Sequence, residues 1–368
     1  MESKNLQATI AQYDDFVGRR ALVNKIYARI GASRPQSVSL VGDSRIGKSS
    51  LLWFLAHEKT RKQFLTNPAD YIYLHIPCRE LEPTTLEVFT KRLYEIFRPY
   101  AVKTQEKNHR IFDYDYYKHQ VESLHKDNKK IILFLDDFNL ITLNEAFPLE
   151  FFSFLRSLAN NYNMAYVTTS YEDLQKLCVS KDIEESPFFN IFTNMSLRGF
   201  EDQELEQFFA HICSDERKAD KPYQSYIVNL AGRFPYPLKI ASRVFKENTS
   251  PVSAVASDLE NRLYEELQEY YQTVWEQLDE DYRSILKNII TGKAIPNAQQ
   301  YLLRDLYRKN LITMNGENVE KIDGMLFRHF VARRAGVATT GDIRPADQKH
   351  GFLAGLRRFF GLKPRSTV

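Results

Sequence analysis

Val38-Ser-Leu-Val-Gly42-Asp-Ser-Arg-Ile-Gly47-Lys48-Ser49-Ser50 contains the spacing G-x-x-x-x-G-K-S between two segments of different character. The residues that open it are apolar and partly β-branched, and Leu51-Leu-Trp-Phe-Leu-Ala56, which follows, favours a helix. A strand, a glycine-rich loop and a helix in this order form the context in which such a loop cradles phosphate groups. The sequence therefore predicts a P-loop at residues 42–50.

The loop residues have defined roles in binding a nucleoside triphosphate. The two glycines let the backbone turn tightly and direct its N–H groups inward, at a helix N-terminus where anions bind. Lys48 can reach the β- and γ-phosphates, and the Ser49 hydroxyl is placed to coordinate Mg²⁺. We expect ATP or ADP with Mg²⁺ as cofactors. The predicted nucleotide contacts in the loop are Gly42, Asp43, Ser44, Arg45, Ile46, Gly47, Lys48, Ser49 and Ser50.

Two carboxylates end the second informative segment, Ile131-Ile-Leu-Phe-Leu-Asp136-Asp137. A continuous apolar run is typical of a buried parallel strand. After a P-loop, we interpret Asp136 as a Mg²⁺ ligand and Asp137 as the catalytic base that orients and deprotonates a water molecule. Taken alone, the pattern also fits an ordinary buried strand followed by an acidic turn. Nucleotide binding needs only the first acid, so the second one indicates hydrolysis.

Composition excludes several other classes of protein. The chain has 368 residues, of which 43% are apolar and 26% charged, which is typical of a soluble globular protein with two or three domains. A transmembrane helix needs a run of about 18 apolar residues, and no run in this sequence approaches that length. The N-terminus also lacks the apolar core of a signal peptide, so we expect a cytoplasmic protein. The three cysteines, Cys78, Cys178 and Cys213, lack the spacing of a zinc site or a disulfide framework.

Basic residues are concentrated at the end of the chain. The net charge is +3, but the residues from Ala332 onward carry +6 and the preceding body −3. A weakly acidic body disfavours DNA as the main partner, so we expect a protein partner or self-association. In Gly351–Leu362, apolar residues at helical spacing are flanked by Arg357 and Arg358. This segment either contacts an anionic membrane surface or a partner groove, or folds back as a frayed terminus.

Strands and helices alternate in the first half of the chain, which predicts an α/β fold with a mainly parallel sheet. The predicted strands are 37–41, 71–76, 131–135, 165–169 and 191–197. The predicted helices between them are 48–56, 83–97, 114–125 and 149–160, and a proline opens the second of these.

Helices predominate after residue 197. They are predicted at 202–213, 222–230, 238–245, 256–275, 281–290 and 297–310, with a linker around 250–253. Asn315-Gly316 separates two short apolar runs, 311–313 and 319–322, and predicts a β-hairpin. The order helix, helix, hairpin is that of a winged helix. We therefore divide the chain into a leader (1–13), a P-loop αβ domain (14–198), a helical lid (199–262), a winged helix (263–335) and a basic tail (336–368).

Two further segments, Phe16-Val17-Gly18-Arg19 and Gly232-Arg-Phe-Pro235-Tyr-Pro237, complete a known pattern. Together with the P-loop and the paired aspartates they resemble the STAND class of AAA-related NTPases, signal-transduction ATPases with numerous domains. The resemblance implies that Val17, Gly18 and Arg19 hold the adenine through backbone contacts. It also implies that Pro235 or Pro237, in the lid, meets the nucleotide base, and that a winged helix follows.

The chain departs from that class at two places. Where many members have Thr-Ser-Arg, this sequence has Thr168-Thr169-Ser170-Tyr171, so the arginine that senses the γ-phosphate is replaced. Thr169 or Ser170 is then the polar sensor, or the role is lost. Only residues 336–368 follow the predicted winged helix, too few for the effector or sensor array of most members.

We predict a nucleotide-operated switch with slow Mg²⁺-dependent ATP hydrolysis, coupled to rearrangement of the lid and winged helix. Arg45 and Arg233 are candidate γ-phosphate contacts. The alternative is a DNA-binding, initiator-like or transposition-helper ATPase that reads DNA with the helix before the hairpin. That helix offers Arg304, Arg308 and Lys309, but it also contains Asp305. A small-molecule kinase would leave the second half of the chain unexplained.

Overall fold

The computed structural model describes residues 13–100, 114–212, 221–247, 252–315 and 318–337. The chain divides after Leu197 into two compact units, and three P-loop residues, Ser44–Ile46, group with the second. The predicted leader up to residue 12 and the basic amphipathic tail from residue 338 lie outside the described residues. None of the described helices is long and apolar enough to cross a membrane.

A five-stranded parallel sheet forms the centre of the first unit. Its strands pair in the order β2-β3-β4-β1-β5, so the strand that leads into the P-loop lies between β4 and β5. This confirms the predicted α/β fold with a parallel sheet. The strands are β1 (Ser37–Val41), β2 (Tyr71–Pro77), β3 (Lys130–Asp136), β4 (Met164–Ser170) and β5 (Phe192–Ser196).

Helices pack against this sheet, which explains why β3 is apolar on both faces. Helix α2 contacts β3 and β4, whereas α4 contacts β2, α5 contacts β3 and α7 contacts β4. Leu133 and Leu135 lie in one buried aromatic and aliphatic cluster with residues of those last three helices. The helices are α1 (Arg20–Ile30), α2 (Lys48–Ala56), α3 (Glu58–Phe64), α4 (Leu86–Phe97), α5 (Tyr114–Lys126), α6 (Asn139–Thr142), α7 (Leu149–Asn161) and α8 (Lys181–Glu184).

One predicted helix start in this unit is wrong. The prediction began α4 at Pro83, whereas the helix begins at Leu86. The Thr85 side chain accepts a hydrogen bond from the Val88 N–H at 3.3 Å and so satisfies one of the backbone donors that a helix start leaves open. A capping threonine defines the start of this helix, and the proline lies before it.

The second unit is helical and contains one antiparallel hairpin. Strands β6 (Ile312–Asn315) and β7 (Asn318–Ile322) pair as the sequence predicts, and the residues between them lie outside the described ranges. Its helices are α9 (Asp202–Ile212), α10 (Lys221–Ala231), α11 (Pro235–Glu247), α12 (Val252–Glu276), α13 (Glu280–Thr291), α14 (Gln300–Arg308) and α15 (Met325–Arg334).

Three helices of this unit start three or more residues away from the predicted position. Helix α11 begins at Pro235 and not at residue 238, since proline fits the first turn of a helix, where its missing N–H is not needed. Helix α12 begins at Val252, inside the predicted linker, and continues to Glu276 across the predicted lid boundary. The segment predicted as one helix at 297–310 is a 3₁₀ turn, Asn297–Gln299, followed by α14.

A carboxyl group is buried in the core of the second unit. Glu260, on α12, is only 4% exposed and accepts a hydrogen bond from the Tyr226 hydroxyl of α10. Burial raises the pKa of Glu260 above its ordinary value of 4.5, while the tyrosine hydrogen bond acts in the opposite direction. The folded state therefore binds this proton more tightly than the unfolded chain does.

Replacing Glu260 with glutamine is expected to stabilise the protein at neutral pH. With a raised pKa, stability falls as the pH rises from about 4.5 through the folded-state pKa, by about 1.4 kcal/mol for each unit of the shift. Glutamine keeps an acceptor for Tyr226 and removes the charge. Denaturant unfolding at pH 4 and pH 7 should show the gain only at pH 7. The exposed Glu265→Gln is the control, and an equal effect at both pH values would contradict the prediction.

Candidate functional site

The P-loop connects the end of β1 to the first residue of α2. Gly47 precedes the helix with φ of 100°, a left-handed conformation that side chains other than glycine rarely adopt. A Cβ built there meets nothing within 4 Å, so the backbone conformation, and not space, requires glycine. The Gly42 N–H donates to the Ser170 carbonyl of β4 at 3.1 Å, which fixes the loop to the neighbouring strand.

Lys48 is held inside the loop. Its side chain donates from Nζ to the carbonyl oxygens of Gly42 at 2.6 Å and Asp43 at 3.0 Å, and the residue is 8% exposed. Burial lowers the pKa of the ammonium group, and the carboxylates of Asp137, Asp43 and Asp136 oppose this change. A positive charge is thus positioned between a helix N-terminus and a group of acids, where a nucleotide phosphate and its metal would meet.

Thr169 connects the two aspartates that follow β3. Its hydroxyl donates to Asp136 Oδ1 at 2.5 Å and accepts from the Asp137 N–H at 2.7 Å. All three residues lie at the carboxyl ends of the adjacent strands β3 and β4. Thr169 is fully buried and Asp136 is 8% exposed, so both side chains are packed at the carboxyl end of the sheet.

Asp137 has a left-handed backbone conformation, and it forms an ion pair that the sequence interpretation missed. Its φ is 53°, in the left-handed region where aspartate and asparagine are the most tolerated side chains after glycine. Arg79 Nε donates to Asp137 Oδ2 at 2.9 Å. Arg79 lies just beyond β2, and β2 pairs with β3 so that Pro77 is opposite Asp136. The sequence does not reveal that β2 is the neighbour of β3. With that strand order known, Arg79 could have been recognised as a partner of Asp137.

Removing Arg79 is expected to increase ATP turnover. The pair occupies one of the two oxygens of the proposed base, and Arg79 is 75% exposed, so the interaction is worth at most about 1 kcal/mol. Arg79→Ala should therefore raise steady-state phosphate release by up to about fivefold. The exposed Arg20→Ala serves as control. A fall in the rate would show instead that Arg79 orients Asp137.

Residues 17–19 lie near the N-terminal end of α1, beside the helix that follows the P-loop. Gly18 and Arg19 are consecutive left-handed residues, with φ of 76° and 61°. The Arg19 carbonyl accepts from the Val23 N–H at 2.8 Å, and the Phe16 ring stacks on Phe54 of α2 at 4.2 Å between centroids. The first unit thus brings the predicted adenine segment and the P-loop helix into contact.

Pro235 and Pro237 lie in the first turn of α11, in the second unit. The neighbouring Arg233 is engaged within that unit. Its guanidinium donates to Asp202 at 2.7 Å and to the Phe200 carbonyl at 3.1 Å, and its backbone carbonyl accepts from the Phe200 N–H. These bonds give Arg233 a structural role in holding the start of α9 to the turn before α11.

The side chains at the first unit's site fit a nucleotide and its metal. Lys48 supplies a cation for phosphate oxygens, and Ser49 and Asp136 supply the oxygen donors that Mg²⁺ prefers when it also binds phosphates. Among the described residues there is no cluster of three or more histidine, cysteine or acidic side chains arranged to hold a metal alone.

The parallel sheet, the P-loop and the paired aspartates define a P-loop NTPase of the AAA-related, STAND class. The sequence matches the family described as Novel STAND NTPase 2 over residues 32–295, and the chain belongs to this family. The predicted class is thereby confirmed. No curated protein sequence shows a significant match to the chain.

Solved structures share the fold. A Walker-type ATPase of Pyrococcus abyssi is 18% identical with a TM-score of 0.55, and the alignment covers 87% of this chain and 97% of that one. The ORC2 protein of Aeropyrum pernix, solved with ADPNP and ADP, is 12% identical with a TM-score of 0.54, covering 86% of this chain and 94% of that one. At these identities the similarity is one of fold.

Proposed function

We propose that the protein is an ATP- and ADP-binding switch that hydrolyses ATP slowly with Mg²⁺. The observation that carries this proposal is the bonding of Thr169 to both Asp136 and Asp137. A strand pair that served only packing would not need a buried hydroxyl joining two acids beside a P-loop lysine. The family assignment supports nucleotide binding, and the A. pernix structure was solved with adenine nucleotides.

Each of these residues has a separate task in the proposed reaction. Lys48 and the inward N–H groups of the loop bind the phosphates and neutralise their charge. Ser49 and Asp136 would hold Mg²⁺, which would supply positive charge near the phosphate oxygens. Asp137 accepts the proton of the attacking water, and Thr169 fixes the relative positions of the two acids. Turnover is slow, because P-loop enzymes that lack an arginine finger are slow.

The switch itself resides in the second unit. We assign Pro235 and Pro237 to the contact with the nucleotide base, and α13, α14, the β6–β7 hairpin and α15 to a winged helix. Exchange of ADP for ATP alters how these elements pack and thereby changes a surface for a protein partner or a second copy.

The identity of the co-purifying nucleotide tests the switch. Protein denatured after purification should release ADP in near-equal molar amount, measured by chromatography, because a switch rests in its ADP form. Hydrogen exchange of 198–337 should then differ between ADP and a non-hydrolysable ATP analogue. An empty site, with identical exchange in both nucleotides, would favour a simple turnover enzyme.

A second candidate function, DNA binding, is favoured by the surface of α14. Tyr301 and Tyr307 are 62% and 50% exposed, and Arg304 is exposed between them. Asp305, the acid that argues against DNA, bonds to Arg308 and to the Tyr282 hydroxyl, both at 3.3 Å. The exposed face of the helix therefore presents aromatic and basic groups, which suit bases and phosphates.

Measuring the affinity for duplex DNA at several salt concentrations separates the switch function from the DNA-binding function. A reader that uses about three phosphate contacts loses roughly 40-fold in affinity between 50 and 200 mM salt. Arg304→Ala and Tyr301→Ala should then weaken binding, whereas Lys239→Ala, an exposed lysine on α11, should not. Fluorescence anisotropy that detects little affinity at any salt would eliminate the DNA candidate.

A further inference from the structure

A cavity of about 420 Å³ lies within the second unit, between α9, α10 and the hairpin with the start of α15. This size is in the range of pockets that bind small molecules. One side of α10 forms a wall through residues at helical spacing, among them Gln224, Ser225 and Asn229. Leu205, Phe209 and Ile322 provide apolar surface. We call this space the α10 cavity.

Positive charge in the α10 cavity exceeds negative charge. Four basic and three acidic side chains line it, and the Arg233–Asp202 ion pair accounts for one of each. Within the described ranges, neither Lys321 nor Arg328 has a side-chain hydrogen bond or ion pair, although Lys321 acts electrostatically on Asp323. The lining residues with charge are Lys221, Arg233, Lys321, Arg328, Asp202, Glu206 and Asp323.

Among the basic residues of the cavity, Arg328 is the strongest candidate for binding an anion. It is only half-exposed and lies on α15, where its backbone N–H bonds to the Gly324 carbonyl at 3.0 Å. A guanidinium that loses part of its hydration normally gains an acid or a carbonyl in return, because partial burial of an unpaired charge is costly. A planar guanidinium matches the oxygens of a carboxylate or a phosphate in a two-bond geometry.

Of the three acids that line the cavity, Asp202 is paired with Arg233, and Asp323 is hydrogen-bonded from the other side. Asp323 Oδ2 accepts from the Arg233 N–H at 3.2 Å, and burial raises the pKa of this carboxyl. It therefore does not compete strongly for the guanidinium of Arg328. Apart from the exposed Lys221 and Glu206, the cavity is left with two partly buried basic side chains, Lys321 and Arg328, that can meet an incoming anion.

One wall of the cavity is continuous with the turn before α11. A Cβ on Gly324 would lie 3.0 Å from the Gly232 N, and one on Gly232 would lie 3.0 Å from Asp323 Oδ2. The backbone of residues 323–324 and that of residues 232–233 are thus in close contact. Pro235, the proposed base contact, lies two residues after Arg233.

We propose that the α10 cavity binds a small ligand with a phosphate or carboxylate group, held by Arg328 and Lys321. Binding draws these side chains toward the ligand and shifts the 323–324 backbone against the Gly232–Arg233 turn. The regulatory consequence, a ligand signal to the lid, rests on the proposed switch function. The binding site does not, since it lies within the second unit and uses none of the P-loop residues.

Hydrogen exchange on the full chain tests the site directly. Protein saturated with Mg²⁺ and ADP is titrated with inorganic phosphate or with citrate, and with sodium chloride at matched ionic strength. Relative to sodium chloride, we expect phosphate, citrate or both to slow exchange severalfold in peptides that cover 221–231 and 318–331. The anion that gives protection identifies the chemical class. No protection at these peptides with either anion would overturn the proposal.

Variants locate the effect. Arg328→Gln and Lys321→Gln should each reduce the protection, and Arg328→Lys should keep part of it, while Lys293→Gln, an exposed lysine outside the cavity, should not change it. Circular dichroism checks that each variant is folded. If Arg328→Gln does not fold, Lys321→Gln alone tests the proposal. Protection unchanged in both glutamine variants would overturn the proposal.

The Lys48→Ala variant separates this site from the proposed function. If it is folded and no longer binds nucleotide, protection by phosphate or citrate at 221–231 and 318–331 should persist. Its loss there would show that the anion acts through the P-loop and would overturn the separate site.

Discussion

Replacing Lys48 with alanine is expected to lower the affinity for ATP and ADP by at least about 100-fold. In the structure its ammonium group already makes two hydrogen bonds, to the carbonyls of Gly42 and Asp43, so its position is fixed before a phosphate arrives. When nucleotide binds, the ammonium group is expected to donate to the β- and γ-phosphates. Hydrogen bonds to charged groups are worth about 1.5–3 kcal/mol each, and losing two such bonds to phosphate corresponds to roughly 10²–10⁴ in affinity. Isothermal titration calorimetry measures the change.

The matched control for this variant is Lys25→Ala, an exposed lysine on α1 that lies outside the loop. It should bind nucleotide like the parent. Circular dichroism and the melting temperature establish that Lys48→Ala is folded. Unchanged affinity in the folded variant would refute the assignment of the P-loop.

The second large effect separates the two aspartates. Asp137→Asn should leave nucleotide affinity unchanged and lower hydrolysis by about 100-fold or more, the usual contribution of a general base. Asparagine is the appropriate replacement, because it tolerates the left-handed backbone at this position. Asp136→Ala should instead weaken the Mg²⁺-dependent part of binding, since it removes the proposed Mg²⁺ ligand and the acceptor of the Thr169 hydroxyl.

Asp127→Asn is the control for these acids, because this exposed aspartate precedes β3 at the opposite end of the strand. Phosphate release and calorimetry are measured on all three variants. If Asp137→Asn hydrolyses ATP as fast as the parent, the base is another group. A parent without any turnover would make the protein a binder in which the nucleotide has a structural role.

The sequence was most informative where chemistry restricts the residue types. Gly47 was correctly predicted as a residue of the tight turn, because few side chains adopt its left-handed backbone. The strand before Asp136 was also predicted correctly, since a continuous apolar run is typical of a buried parallel strand. The sheet order could not be predicted, since an apolar strand does not specify its neighbours. The Arg79–Asp137 pair depends on that order and was missed for this reason.

Arg233 shows a different limit of sequence interpretation. A guanidinium beside a lid motif suggests a phosphate contact, but the structure gives this one Asp202 and a carbonyl as partners. Only the packing of α9 against the turn reveals them. The predicted helix starts at 83 and 238 were displaced for simpler reasons, a threonine cap in one case and a proline accepted in the first turn in the other.

The central place of β1 in the sheet has a consequence for biosynthesis. Val38 pairs with Val167 on one side and with Thr193 on the other, so both neighbours of the P-loop strand are made long after it. On the ribosome, the phosphate-binding loop emerges early but has no sheet to join until β4 and β5 have been translated. Such non-local pairing slows folding and leaves apolar strands exposed in the meantime. Nucleotide therefore cannot assist the earliest stages of folding, and chains truncated before residue 192 should be recovered as aggregates or as chaperone substrates.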